Sequence, residues 1–225
     1  MTDISKQTQE YFNNHKYVII KKFLDPNIVG LVYRYCITQV MAMDFKSTYD
    51  KNSFNKEWDG EWGDIQAPGC YSAYGDTLMD TLLTSCLPQI SNYTGLNLIP
   101  NYTYWRHYQR GVELVKHRDR FSCEISTTIC LGYDTSNLTN EDPNYVWPIY
   151  MEDITGQTPD GLEVKLEPGD MVIYRGIELE HWRDKFKGLG HAQLFMHYNE
   201  RKWENQPMFD GRPIIGIPKR FQADY

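Results

Sequence analysis

Between residues 102 and 198 the chain is written as eight short runs, YTYWRHY, VELVKHRD, EISTTICLGY, VWPIYME, LEVKLE, MVIYRG, LEHWRD and HAQLFMHY, with Gly, Pro, Asn and Asp between them. Runs this short, rich in β-branched and aromatic residues and broken at near-regular intervals by turn formers, read as strands and not as helices. Strands crowded into one segment need their edges closed or covered, so the pattern points to an antiparallel barrel or jelly roll. The expected fold class is mainly β with flanking helices.

The first hundred residues have a different texture. Tyr17 to Ile20 is a short β-branched run, and Asp25-Pro26 then opens an apolar pattern at Ile28, Leu31, Val32, Tyr35, Cys36 and Val40. Asp as a cap and Pro at the first helical position start a helix well, which is expected over about 26–42. After a loop rich in Trp, Gly and Asp at 50–70, Asp76 can cap a second helix carrying Met79, Leu82, Leu83, Cys86 and Ile90. These N-terminal helices are expected to pack on one sheet face. With 225 residues and 41% hydrophobic content the chain is read as a single domain, 1–225. Within it, 1–99 is a helical elaboration, 100–199 the β core and 200–225 an irregular tail.

Composition excludes several classes. A net charge of −7 does not favour nucleic acid, and no run resembles a leader or a membrane span, so a soluble cytoplasmic protein is expected. Five cysteines, at 36, 70, 86, 123 and 130, form an odd set without CxxC spacing. They read as reduced thiols and not as a disulfide framework or a structural zinc site.

The stretch VKHRDRFSCE contains His117-Arg118-Asp119, three letters that also open the catalytic loop of protein kinases. The kinase reading fails: there is no GxGxxG, the fifth residue after Asp119 is Glu124 instead of Asn, and Phe209-Asp210-Gly211 has the wrong order for a magnesium motif. On a strand, residues i and i+2 share a side, so His117 and Asp119 present an imidazole and a carboxylate to one point while Arg118 turns away. A third ligand has to come from a distant strand, and EPGDMVIYRGIELEHWRD offers His181 after a tight turn and a buried strand. Two histidines and one carboxylate on a β-barrel form the facial triad of non-haem Fe(II) oxygenases, with coordination positions left open.

On these residues the chain resembles the Fe(II)- and 2-oxoglutarate-dependent dioxygenase superfamily, and within it the prolyl-hydroxylase-like branch. YVIIKKFLD followed by a helix is similar to that family's N-terminal entry, and EPGDMVIY before the distal histidine is typical of it. The resemblance implies a double-stranded β-helix core over 102–199, with Fe(II) held by His117, Asp119 and His181. It implies 2-oxoglutarate as co-substrate, decarboxylated to succinate, with O2 consumed and ascorbate as a candidate reductant. Tyr108, nine residues before His117, stands where a tyrosine binds 2-oxoglutarate in that branch. The presence of Asp119 favours hydroxylation, because related halogenases have a small residue there.

One departure is that branch members place Arg or Lys about ten residues after the distal histidine, and here that residue is His191. Two candidates for pairing with the far carboxylate remain open: His191, a part-time cation near pH 7, and Arg106, which with Tyr104 shares the inward face of Tyr108. Arg120 and Arg183 read as rim charges that can meet substrate, and Trp147 as an aromatic residue narrowing the substrate mouth. The expected activity is hydroxylation of a small-molecule or peptide substrate. The alternatives are a cupin-like metal or ligand binder without oxidation, or a catalytically silent relative.

Overall fold

The computed structural model describes residues 3–222. The chain runs α1 (Asp3–His15), β1 (Tyr17–Ile20), α2 (Pro26–Tyr49), α3 (Lys56–Asp59), β2 (Tyr71–Tyr74), α4 (Thr77–Thr94) and β3 (Leu98–Gln109). It continues through β4 (Leu114–His117), β5 (Ile125–Asp134), β6 (Ile149–Met151), β7 (Leu162–Val164), β8 (Met171–Tyr174), β9 (His181–Arg183) and β10 (Gly190–Glu200). Each of the eight runs read as strands overlaps one of β3 to β10.

Both helices expected from their caps are present. The Asp25 carboxylate accepts from the Asn27 amide at 2.8 Å at the start of α2, and Asp76 accepts from Leu78 and Met79 at 2.9 and 3.2 Å at the start of α4. Helix α2 extends seven residues past the expected end at 42. Its buried residues are Val29, Val32 and Cys36, with Val40 and Met43 half-buried against the core, and the helix continues beyond them. Beyond that point Phe45 and Tyr49 stack on one another one turn apart, and Lys46 pairs with Asp59 at 2.6 Å.

Two antiparallel sheets form a jelly roll. The larger has the order β1-β8-β5-β10-β3-β2, the smaller β4-β9-β6-β7. Strand β2 did not stand out in the sequence, being four residues at the end of a Gly-rich loop; it pairs with β3 and closes one edge. Alternation along β10 sorts the two faces. Ala192, Leu194, Met196 and Tyr198 join Val32, Cys36, Leu83 and Ile90 in the core under the helices, while His191, Gln193, Phe195 and His197 point between the sheets. The helices thus seal the outside of the larger sheet and leave its inner face for polar side chains. Among the described residues, no helix is long and apolar enough to cross a membrane.

The segment after β10 is fixed by one buried pair. Arg212 Nη1 lies 3.0 Å from Asp80 on α4, and both side chains are wholly buried. The Asp80 carboxylate also accepts from the Thr103 hydroxyl at 2.6 Å and the Gly216 amide at 2.8 Å. Removing one member of such a pair leaves the other uncompensated. Arg212→Leu should therefore destabilise the protein by about 3–5 kcal/mol in urea denaturation, whereas Arg220→Leu, which breaks the exposed pair with Glu57, should cost less than about 1 kcal/mol.

Candidate metal centre

Strands β4 and β9 pair antiparallel with His117 directly opposite His181. Opposed residues present their side chains to the same face, so the two imidazoles meet with ring centroids 4.3 Å apart. Asp119 follows two residues on, its backbone N–H donating to the Gly176 carbonyl at 2.9 Å, and its Oδ1 lies 3.7 Å from His117 Nε2 and 3.6 Å from His181 Nε2.

The second ring nitrogens decide what these histidines can do. His117 Nδ1 lies 2.6 Å from the Val115 carbonyl, and His181 Nδ1 lies 3.1 Å from the Leu179 carbonyl. A carbonyl only accepts, so each Nδ1 carries a proton and each Nε2 is the nitrogen turned toward Asp119. Burial lowers the pKa of His181, overriding the opposite pull of Asp119. For Asp119, burial works to raise the pKa, but His181, His197, the Ser126 hydroxyl and His117 together outweigh it and hold the carboxyl below its usual range. Two imidazole nitrogens and a carboxylate oxygen thus face one another, all within 4.8 Å. That donor set suits a divalent cation, and the nitrogen and oxygen donors fit iron.

Asp119, Cys123 and His197 form a second convergent group. Its donors are committed elsewhere. Ser126 Oγ donates to Asp119 Oδ2 at 2.6 Å and lies 3.0 Å from His197 Nδ1, while the Cys123 sulfur sits 2.9 Å from the Tyr102 hydroxyl. Burial pushes the Cys123 thiol up to about 12, so it is not a thiolate. This group therefore supports the first: Ser126 occupies one carboxylate oxygen and leaves Oδ1 for the histidines. Gly176 makes the room, because a Cβ there would collide with Asp119 Oδ2, Ser126 Oγ and the Cys123 carbonyl.

A cavity of about 960 Å³ opens from His117, Asp119 and His181 to the surface. Tyr74, Tyr102, Tyr104 and Phe195 line it, the 60–66 loop forms one wall and Lys219, Arg220 and Gln222 another. Tyr174, not singled out from sequence, places its hydroxyl 3.4 Å from His181 Nε2. Alternation on β8 could have found it, since Met171 and Ile173 pack under the helices and Tyr174 faces between the sheets.

The residues expected around 2-oxoglutarate are placed differently from one another. Tyr108 is fully buried in the interior and packs on Trp147. Arg106 is buried and already neutralised: its Nε donates to Asp64 at 2.6 Å and its Nη2 to Gln66 Oε1 at 2.7 Å. Tyr104 donates to the same Asp64 at 2.9 Å. Arg106 and Tyr104 thus clamp the wall of the cavity through Asp64. His191 lies apart from them. It is buried among Tyr133, Trp147 and Phe186, and burial pushes its pKa well below 6.5, so it carries no charge to offer.

Of the residues expected at the substrate mouth, one lines the cavity. Arg120 stacks over Tyr102 and pairs with Asp210 at 2.7 Å. Trp147 is buried inside, its indole N–H donating to the Asp184 carbonyl at 2.7 Å, and it does not narrow the mouth. Arg183 is 1% exposed and so is not a rim charge. Strand parity put it on the side of His181; the depth of that side was not visible locally.

No family model matches the chain, and no curated protein matches it by sequence. Among solved structures, the fold is similar to a Pseudomonas putida prolyl-4-hydroxylase at TM-score 0.62 and 16% identity, over 88% of this chain and 99% of that one. It is similar to the non-heme alpha ketoglutarate dependent epimerase SnoN from nogalamycin biosynthesis at TM-score 0.60 and 11% identity, over 97% and 98%. It is also similar to HygX from Streptomyces hygroscopicus, solved with nickel, 2-oxoglutarate and hygromycin B bound, at TM-score 0.56 and 12% identity, over 97% and 96%. At these identities the likeness is one of fold.

Two outcomes follow from the centre. Gly176→Ala should displace Asp119 and weaken Ni(II) binding by about 10–100-fold, read by calorimetry, because groups that orient a ligand have effects of that size. In the metal-free protein, burial lowers the pKa of His107, His181, His191 and His197, the last from 6.5 to about 4. The unfolded chain takes up these protons first, so stability is full above pH about 6.5 and falls as pH drops toward 4. His197→Phe should remove about 3 kcal/mol of that fall, measured by urea denaturation across the pH range.

Proposed function

We propose that this chain is an Fe(II)- and 2-oxoglutarate-dependent oxygenase that hydroxylates an organic or peptidyl substrate. The observation that carries this reading is the convergence of His117 Nε2, His181 Nε2 and Asp119 Oδ1 on one point at the inner end of a cavity. The fold supports it, since the similar structures include a prolyl-4-hydroxylase and a protein holding nickel and 2-oxoglutarate. Bound at His117, Asp119 and His181, Fe(II) would supply oxygen activation coupled to decarboxylation of 2-oxoglutarate to succinate.

The chain's own contribution is positioning. The Val115 and Leu179 carbonyls fix both imidazole tautomers, and Ser126 holds Asp119 so that one oxygen faces the histidines. With three protein donors on one side, the side toward the cavity is free for co-substrate, oxygen and the carbon to be oxidised. The tyrosine-lined walls and the loop clamped by Arg106 enclose that carbon and limit water at the centre.

Incubating the protein with Fe(II), ascorbate, 2-oxoglutarate and oxygen should yield succinate, detected by mass spectrometry, and stoichiometric hydroxylation once a substrate is supplied. His117→Ala and Asp119→Ala should lower succinate formation by at least about 100-fold. A protein that binds metal but forms no succinate with any member of a broad substrate panel would instead be a cupin-like binder or a silent relative.

A further inference from the structure

Two other buried arginines near the barrel are matched to carboxylates, Arg106 to Asp64 at 2.6 Å and Arg212 to Asp80 at 3.0 Å. Arg183 is not. It is 1% exposed, and the ionisable groups that act on it most strongly are Tyr108, Cys130, Tyr174 and Tyr145, none of them a carboxylate. Its Nη1 donates to the Trp147 carbonyl at 2.9 Å. With the Gln193 amide turned to satisfy its neighbours, Nη2 donates to that amide oxygen at 3.1 Å. Nε is buried with no acceptor, and Cζ lies 4.7 Å from the centre of the Trp147 ring.

The groups acting most strongly on this guanidinium are neutral. Burial raises the Tyr108 and Tyr174 phenols and the Cys130 thiol, and it keeps His191 unprotonated. A permanent cation, a spare N–H and the Tyr108 phenol are the complement of a carboxylate. The place is also right. Arg183 lies two residues beyond His181 on the same strand and face, about 7 Å along β9, a span comparable with a five-carbon diacid. It stands opposite Leu114, and Leu114 and Tyr174 both line the cavity.

We propose that Arg183 grips the far carboxylate of the 2-oxo acid, with Tyr108 beside it and Gln193 orienting it. It takes the part that position 191 would play if it were Arg or Lys. The inference rests on the proposed oxygenase reading and adds to it the residue that selects a dicarboxylate.

Calorimetry on the Ni(II)-loaded protein tests it with two probes, 2-oxoglutarate and 2-oxopentanoate, which shares the keto acid and chain length but ends in a methyl group. Wild type should prefer 2-oxoglutarate by about 100-fold. Arg183→Gln should abolish that preference and leave 2-oxopentanoate binding unchanged. Arg183→Lys keeps the buried charge if the Gln variant fails to fold; having lost the fork, it should weaken 2-oxoglutarate alone by about tenfold. A folded Arg183→Gln or Arg183→Lys protein with the wild-type preference intact overturns the assignment, all the more if Arg106→Gln loses it. Wild type binding both probes equally defeats the Arg183 proposal but spares keto-acid chelation at the metal. Wild type binding neither defeats the oxygenase reading along with it.

Discussion

The site depends on the register between β4 and β9. Because His117 lies directly across from His181, their rings occupy one face, and a two-residue step brings Asp119 to the same point. A slip of one residue would turn one histidine to the opposite side of the sheet. The Asp119 amide bonded to the Gly176 carbonyl and the absence of a side chain at Gly176 hold the end of this pairing. The helices under the larger sheet contribute indirectly, by anchoring β3, β5 and β10 so that their inner faces can be polar.

Buried charge then divides the interior into fixed structure and binding space. Arg212 with Asp80, and Arg106 with Asp64, are paired cations whose work is architectural: one ties down the chain after β10, the other the 64–66 loop. Arg183 lies at the same depth, and among the described residues no carboxylate pairs with it. An unpaired buried guanidinium is costly in a resting protein, and a ligand bearing the missing carboxylate offsets that cost.

Much of this was legible in the sequence where period-2 alternation applies. It placed all eight core strands, put His117 and Asp119 on one side with Arg118 turned away, and sorted β10 into a helix-facing and an inner set. What alternation could not supply was depth and distant partners. For Arg106 the sequence could name no partner, because Asp64 lies 42 residues earlier, in a loop with no periodicity to announce it. Arg183 and Trp147 were read at the rim because the sequence does not show how far β9 and the 147 segment sit inside the barrel. Ser126 and Gly176 had no motif; only the packed neighbourhood of Asp119 gives them a role.

The central claim, a two-histidine, one-carboxylate iron centre, is tested most directly by X-ray absorption of the protein loaded anaerobically with one equivalent of Fe(II). The account predicts nitrogen and oxygen neighbours only, with two imidazoles whose outer-shell scattering falls to one in His181→Ala. Sulfur scattering from Cys123, or a spectrum unchanged by His181→Ala, would contradict it.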